Sequence, residues 1–190
     1  MDSVDKLSSA TIALHWLVGL CMLSMLGVGY AMVHFELWNL YPWHKSAGVL
    51  VCLLALARVA WRVRQGWPQP AAESAGALAQ VEHHLAKIVH WILIVATVAM
   101  PLTGMIFSGA SGHGFGTLGV ELVHGQHDPV NPGQVIAYSA AWATLGQRLH
   151  VWIAYVLAGA IVLHVAGALK HHLIARDGTM RRMCGGIRPS

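Results

Sequence analysis

The sequence predicts an all-α protein, an integral membrane bundle of four helices, and its composition is the first reason. Hydrophobic residues make up 56% of the 190 positions and charged residues 11%, whereas roughly a quarter of a soluble domain is charged. The mean hydropathy is +0.55, and the length allows four spans of about 20 residues with connecting loops. These values argue against a water-soluble enzyme. The 13 histidines of so apolar a chain therefore need a chemical explanation.

Four apolar runs supply the spans, and each is near the length that crosses about 30 Å of hydrocarbon as a helix. They cover about residues 9–33, 44–62, 88–107 and 149–169. Because a spanning segment must satisfy its own backbone hydrogen bonds, each run is predicted to be helical. The first run is too long for a secretory signal peptide and lacks a cleavage site at its end, so we expect an uncleaved span. A linker rich in Pro, Gly and Ala, residues 66–77, separates the second and third spans.

Lysine and arginine are distributed asymmetrically between the connections. Ten of the 12 lie in the N-terminal tail, around the connection between the second and third spans, or in the basic tail 170–190, which leaves only Lys45 and Arg148. Because basic residues are retained on the cytoplasmic side, both termini are predicted to be cytoplasmic, and the segment 108–147 is predicted to face the periplasm or exterior. Topology thus explains the basic charge, and we expect no nucleic-acid partner.

Four histidines lie at paired depths in the predicted bundle. His150 and His164 are 14 residues apart in the fourth span, which places them on nearly one helix face and about 21 Å apart. His15, at the inner end of the first span, lies at the same predicted depth in the membrane as His164. His44, at the outer start of the second span, lies at the same predicted depth as His150. Two such pairs predict two haem b groups, and because two imidazoles fill both axial positions of the iron, electron transfer is the natural activity.

Four further residues are candidates for contacts with a haem or a quinone. Arg58 lies 14 residues after the outer ligand of the second span, so it shares that helix face beside the inner haem and is a candidate partner of a propionate. A positive-inside anchor is the alternative. His90, at the inner end of the third span, competes for the inner iron, and our preferred role for it is a hydrogen bond to a propionate or quinone. Lys45 and Arg148 lie near the predicted outer propionates.

The outer segment, residues 108–147, is rich in glycine and histidine. A metal site is one hypothesis for it, but His-x-x-His alone is a weak signal, and the glycines predict a flexible loop. We favour a cap over the outer haem that contains a short helix near residues 135–144. The side chains available for zinc or copper are His113, Glu121, His124, His127 and Asp128.

Several short motifs resemble the bacterial cytochrome b561 family, which is related to the cytochrome b subunits of nickel-iron hydrogenases and formate dehydrogenases. They are ALHWL at 13–17, WHKSAG at 43–48, MPLTG at 100–104, and the two histidines of the fourth span followed by KHH at 170–172. The resemblance covers about residues 7–183 and implies four helices, two b-type haems and electron exchange between the quinone pool and a second partner. It implies the same four iron ligands, with His90 as a histidine that does not bind iron. The outer segment matches the family poorly.

The resemblance also implies a function, since some members of the family oxidise superoxide at the outer face and reduce ubiquinone. Our leading hypothesis is a dihaem oxidoreductase that links a quinone to an outer partner, with superoxide as the candidate. Lys45 and Arg148 would attract such an anion. The alternative is a membrane anchor subunit that passes electrons to a dehydrogenase or a periplasmic redox protein without chemistry of its own. A metal-ion carrier that uses the histidines as a relay is a third hypothesis.

Overall fold

The structure, a computed structural model, describes residues 7–66, 77–176 and 179–185 and confirms a helical membrane bundle. Four of its helices are long and apolar enough to cross a membrane. They are α1 (Ser9–His34), α2 (Tyr41–Gln65), α3 (Ala77–Ala110) and α4 (Ala140–Lys170). A 3-10 turn, Trp38–Leu40, leads into α2, and a π-helical turn, His171–Ala175, extends α4. A short helix α5 (Thr179–Met183) follows. The predicted linker lies mostly outside the described residues.

The helices extend beyond the predicted apolar runs. Hydropathy marks only the part of a helix that crosses lipid, whereas caps and polar turns set its ends. Ser8 caps α1 by accepting a hydrogen bond from the amide of Thr11, and Ser139 caps α4 in the same way through Trp142. The separate short helix predicted near residues 135–144 is therefore wrong, because residues 140–144 form the first turn of α4 and the preceding residues are not helical.

The helices pack in chain order, and the closest pair is α3 with α4. Gly146 of α4 lies so near α3 that an added Cβ would stand 2.7 Å from the backbone nitrogen of Phe107. All four helices contribute to an apolar layer at mid-depth, and two of its side chains, Val18 and Leu157, are fully buried. The buried residues of this layer are Val18, Met22, Val51, Ala55, Ala96 and Leu157. Leu157 lies midway between the two histidines of α4. The layer therefore separates the half of the bundle with His15 and His164, called the inner half after the predicted orientation, from the half with His44 and His150, called the outer half.

The outer segment contains a β-hairpin that the sequence analysis did not predict. Its strands, β1 (Phe115–Thr117) and β2 (Val120–Val123), are antiparallel. The turn between them places Leu118 and Gly119 at φ of 51° and 79°, which is the left-handed pair that tight hairpin turns require. Ser46 of α2 donates a hydrogen bond of 3.2 Å to Thr117, so the hairpin is attached to the outer end of α2.

The glycines of the outer segment were expected to make a flexible loop, and in the structure several of them allow close backbone packing. An added Cβ at Gly112 would lie 2.2 Å from the carbonyl oxygen of Ile136, and one at Gly114 would lie 2.5 Å from that of Val123. Backbone hydrogen bonds also join separate stretches of this segment. The amide of Gln126, for example, donates to the carbonyl of Gly112 at 2.8 Å. The segment is therefore a folded cap on the outer end of the bundle.

The inner end of the bundle is held by side chains. Glu82 of α3 and Lys170 of α4 form an ion pair. The indole nitrogen of Trp16 on α1 donates a hydrogen bond of 2.8 Å to the carbonyl of Met183, which docks α5 against α1.

Candidate functional site

The structure brings the four predicted histidines together as two pairs. The ring centres of His15 and His164 are 6.0 Å apart, and those of His44 and His150 are 6.4 Å apart. A metal bound on opposite sides by two imidazole nitrogens at about 2.0 Å each, as a haem iron with two histidine ligands is, requires about 6 Å between the ring centres. Both pairs therefore have the spacing of a bis-imidazole iron site. The apolar layer lies between them.

The outer pair is oriented by backbone atoms of α3. The Nδ1 of His150 donates a hydrogen bond of 2.9 Å to the carbonyl of Met100, and the hydroxyl of Thr103 lies 3.3 Å from the same nitrogen. Because a carbonyl only accepts, the proton is on Nδ1, and Nε2 is left for a metal. An added Cβ at Gly104 would stand 2.9 Å from Cε1 of His150. The glycine therefore makes room for the ring.

His44 meets the outer site from α2. An added Cβ at Gly29 of α1 would lie 3.4 Å from Cε1 of His44, so this ring also lies close to a glycine. Its Nδ1 is buried and has no hydrogen-bond partner among the described residues. A buried polar atom without a hydrogen-bond partner destabilises the folded state. A haem iron with two histidine ligands lies between two facing imidazoles. The buried ring of His44, which faces His150, is suited to such a site.

The inner pair is surrounded by charged and polar side chains. The Nη2 of Arg58 lies 3.2 Å from the Nδ1 of His15, and since a guanidinium only donates, this nitrogen accepts. The ring centre of His90 lies 5.0 Å from that of His164 in an edge-to-face contact. That distance is shorter than the spacing of about 6 Å for two imidazoles on opposite sides of one haem iron. The pair His15 and His164 has this spacing, whereas the pair His90 and His164 does not.

A polar cluster at the inner end joins α1 to α2, and the sequence analysis did not identify it. The hydroxyl of Thr11 accepts hydrogen bonds of 2.9 Å from Trp61 and 2.9 Å from Arg62. Thr11 lies one helical turn before His15, and Arg62 lies one turn after Arg58, so these pairs share a face on each helix. The cluster fixes the contact between the two helices next to the inner histidines. The four-residue spacings were visible in the sequence, but each belongs to one helix and does not show which faces of α1 and α2 meet.

The two outer cations lie in different surroundings. The ammonium of Lys45 donates to the carbonyls of Gly114 at 2.8 Å and His113 at 3.2 Å, and it lies 5.6 Å from the centre of the Tyr41 ring. Arg148 is exposed on α4 and borders a shallow cavity of about 460 Å³ with Ala140, Ala141, Thr144 and Leu145. Lys45 therefore also holds the cap in place, whereas the side chain of Arg148 is exposed at the surface of the bundle.

The histidines of the cap make local contacts. Burial, with the Lys45 cation and His127 as smaller causes, lowers the pKa of His113. A hydrogen bond of 2.6 Å from the imidazole of His124 is the main cause that lowers the pKa of the Glu121 carboxyl. Within the described part of the chain, no three His, Cys, Asp or Glu side chains are grouped to hold a metal ion. The cap thus gives the metal-site hypothesis no support.

Comparisons with known proteins agree over nearly the full length. A protein-family model described as prokaryotic cytochrome b561 matches residues 6–186. The chain is 29% identical to cytochrome b561 homolog 2 of Escherichia coli, over 97% of this chain and 94% of that protein. It is 24% identical to cytochrome b561 homolog 1 of the same organism, over 95% and 97% of the two chains. It is 22% identical to the probable superoxide oxidase CybB of Yersinia pestis, over 94% and 95%.

Proposed function

Because the chain belongs to the prokaryotic cytochrome b561 family, and is therefore a bacterial membrane cytochrome that binds haem b, we propose that it carries two haems and moves electrons across the bilayer. The electrons pass between the respiratory quinone pool and a partner at the outer face. The observation that supports this proposal is the ring spacing of 6.0 Å and 6.4 Å in two histidine pairs on opposite sides of an apolar layer.

In this proposal, His15 and His164 hold the inner haem iron, while His44 and His150 hold the outer one. A haem with two histidine ligands is a one-electron carrier with no open position for oxygen. The chain's own residues orient the ligands: the carbonyl of Met100 fixes the tautomer of His150.

Three features of the proposal concern the partners. The inner end faces the cytoplasm with both termini, since the basic residues lie there. Arg58 and His90 contact an inner propionate or the quinone, with ubiquinone as the candidate. Superoxide is the candidate outer substrate, because one similar protein is named a probable superoxide oxidase and because Lys45 and Arg148 add positive charge at the outer end.

A second candidate function is that of an anchor subunit for a dehydrogenase or a periplasmic redox protein. The observation that favours it is the apolar surface of the cap, where the side chains of Leu118 and Val130 are each 81% exposed. Exposed apolar patches are typical of surfaces that bind other proteins. Stable co-purification with a second polypeptide would favour this function over the first.

The first test is the haem-to-protein ratio of the detergent-purified chain, measured as pyridine haemochrome. We expect a ratio near two, because each histidine pair would hold one haem. A ratio near one would mean that one pair is misassigned, and a ratio of zero would refute the cytochrome function of these histidines. The loaded protein should then reduce ubiquinone with superoxide, and Arg148→Gln should slow that reaction and weaken its dependence on ionic strength.

A further inference from the structure

The β-hairpin of the cap packs against α3 through one of its two faces. An added Cβ at Gly109 of α3 would lie 3.3 Å from the ring of Phe115 in β1 and 3.7 Å from a methyl carbon of Val123 in β2. Because successive side chains of a strand point to opposite faces, Val120 and Leu122 lie on the face away from that of Val123. This second face of the hairpin points away from α3.

The face away from α3 is apolar and exposed. Val120 is 60% exposed and Leu122 is 53% exposed, while Leu118 in the turn is 81% exposed. Glu121, the charged residue of β2, belongs to the other face, and its carboxylate lies 2.6 Å from the Nδ1 of His124. The hairpin therefore has a stripe of three exposed apolar side chains, Leu118, Val120 and Leu122, which we call the apolar stripe.

Contacts along α2 show the direction in which the hairpin points. His113, two residues before β1, has its ring centre 6.3 Å from that of Tyr41, the first residue of α2. Thr117, at the far end of β1, accepts the 3.2 Å hydrogen bond from Ser46. Ser46 lies five residues further into α2, about 7.5 Å along the helix axis. The strand β1 thus runs from the end of α2 towards the bilayer, and the turn of the hairpin is its part nearest to lipid.

Ser46 marks the level at which the apolar part of α2 begins. Residues 47–57, which follow it, are all apolar or glycine. Leu50 and Leu53 lie about one and two turns below Ser46 on the same helix face, and they are 40% and 59% exposed, as lipid-facing side chains are. Trp43, one turn above, is 76% exposed, which is typical of tryptophan at a membrane interface. The hairpin turn therefore stands directly over the lipid-facing surface of α2.

We propose that the apolar stripe inserts into the membrane leaflet beside the cap, at the boundary between lipid headgroups and acyl chains. Insertion removes the three side chains from water, as it does for the apolar face of an interfacial helix. It stops at this boundary, because the edges of a two-stranded hairpin carry backbone groups that hydrocarbon cannot hydrogen-bond. Lipid then holds the tip of the hairpin, while Lys45 holds its base through the carbonyls of His113 and Gly114.

This inference goes beyond the proposed function and needs only the membrane bundle. It depends neither on the number of haems nor on which end of the bundle faces the cytoplasm. It also divides the two cap residues that are 81% exposed, since Leu118 contacts lipid and Val130 remains available to a protein partner.

The experiment measures the depth of a fluorescent label in the purified, haem-loaded protein, reconstituted in nanodiscs of phosphatidylethanolamine and phosphatidylglycerol. Leu118→Cys is labelled with the fluorophore NBD in a chain whose own cysteines are changed to alanine. Two quenchers are compared, a lipid with a nitroxide on its acyl chain and iodide in the water. Emission is taken relative to the same sample without quencher, so that the constant quenching by haem cancels. The native cysteines to be replaced are Cys21, Cys52 and Cys184.

The matched control is Val130→Cys, a site of equal exposure in another part of the cap. Its loop is polar, since the carboxylate of Asp128 accepts a hydrogen bond of 2.7 Å from the amide of Val130. We expect the nitroxide lipid to quench the label at position 118 at least about threefold more than the label at position 130, and iodide to show the reverse order. Val120→Cys is a second probe of the apolar stripe and should behave like Leu118→Cys, so it decides the result if Leu118→Cys does not fold.

Three results would overturn the inference. Stronger quenching by iodide than by the nitroxide lipid at position 118 would place the hairpin in water. Weak quenching by both would mean that protein, such as a second copy of the chain, covers the apolar stripe. Equal quenching by the lipid at positions 118 and 130 would show that the hairpin has no special contact with the membrane. A haem-to-protein ratio other than two would count against the proposed function alone.

Discussion

The outer histidine pair is oriented by the backbone, whereas the inner pair is oriented by side chains. At the outer site, a carbonyl of Met100 and the small volumes of Gly104 and Gly29 place the rings. At the inner site, Arg58 contacts His15 directly, and the Thr11 cluster holds α1 against α2 nearby. A site built on backbone atoms is fixed by the helix geometry, while a site built on side chains can be tuned by single substitutions. The two sites should therefore respond differently to mutation.

The largest test of the comparison removes one ligand at a time. His150→Ala should abolish the outer haem and leave the inner one, and His15→Ala should do the converse. In each case the ratio of haem to protein should fall from about two to about one, because one imidazole no longer completes the axial pair. Pyridine haemochrome and the EPR spectrum would show which haem remains. Retention of both haems in either variant would refute the pairing.

Gly104→Ala tests the dependence of the outer site on the backbone. The new Cβ would stand 2.9 Å from Cε1 of His150 and displace the ring. We expect loss of most of the outer haem and a decrease in the free energy of unfolding of about 1–3 kcal/mol, measured by haem content and by thermal unfolding in detergent. The control is Gly159→Ala on α4, where an added Cβ meets nothing within 4 Å. Equal behaviour of the two variants would contradict the steric argument.

Thr11→Val tests the dependence of the inner site on side chains. The change removes the oxygen that accepts from Trp61 and Arg62. We expect a loss of about 1 kcal/mol in the free energy of unfolding and a change in the EPR spectrum of the inner haem alone. Thr97→Val is the matched control, because Thr97 is buried and its hydroxyl donates to the carbonyl of Ile94 in its own helix. A change in the outer haem spectrum instead would show that the two sites are not independent.

The smallest expected effect is a pH dependence of the cap. Because burial lowers the pKa of His113, the unfolded state binds more protons than the folded state below the ordinary value of about 6.5. The resulting stabilisation is fully present above that pH and is lost as the pH falls towards the lowered value. We expect less than about 0.5 kcal/mol, since the side chain is exposed to screening solvent.

Hydrogen exchange of the β-hairpin between pH 7.5 and 5.5 would measure this effect. Protection should decrease at the lower pH, and His113→Gln should remove that dependence, whereas His172→Gln on the opposite side should keep it. The carboxyl of Glu121, whose pKa is also lowered, titrates below this range. An unchanged pH dependence in His113→Gln would assign the effect to another group.

The sequence predicted the four spans and the meeting of four histidines, because both follow from properties of single helices. Hydropathy identifies each span, and a separation of 14 residues places His150 and His164 on one face whatever the neighbours are. The contact between Thr11 and Trp61 depends on how α1 is rotated against α2. The pattern of one helix does not contain that rotation, so the cluster was not predicted.

The cap was the least predictable region. Its hairpin turn has leucine at position 118 in a left-handed conformation, where asparagine or aspartate is the usual signal. The strands contain three and four residues, too few for a clear alternation of apolar and polar side chains. The glycines indicated flexibility because the sequence does not show which backbone will pack against them.

The apolar layer between the histidine pairs determines which charges can cross the bundle in the membrane potential. Its six buried residues carry no ionisable group, and Val18 and Leu157 have 0% exposure. Protons need water or titratable side chains to cross such a layer, whereas electrons can tunnel between redox centres on its two sides. In the proposed function, an electron that passes this layer therefore moves charge across the membrane, with no titratable group among the six buried residues to carry a proton with it. Each electron that crossed the whole membrane would exchange about 2.3 kcal/mol with the membrane potential for every 100 mV.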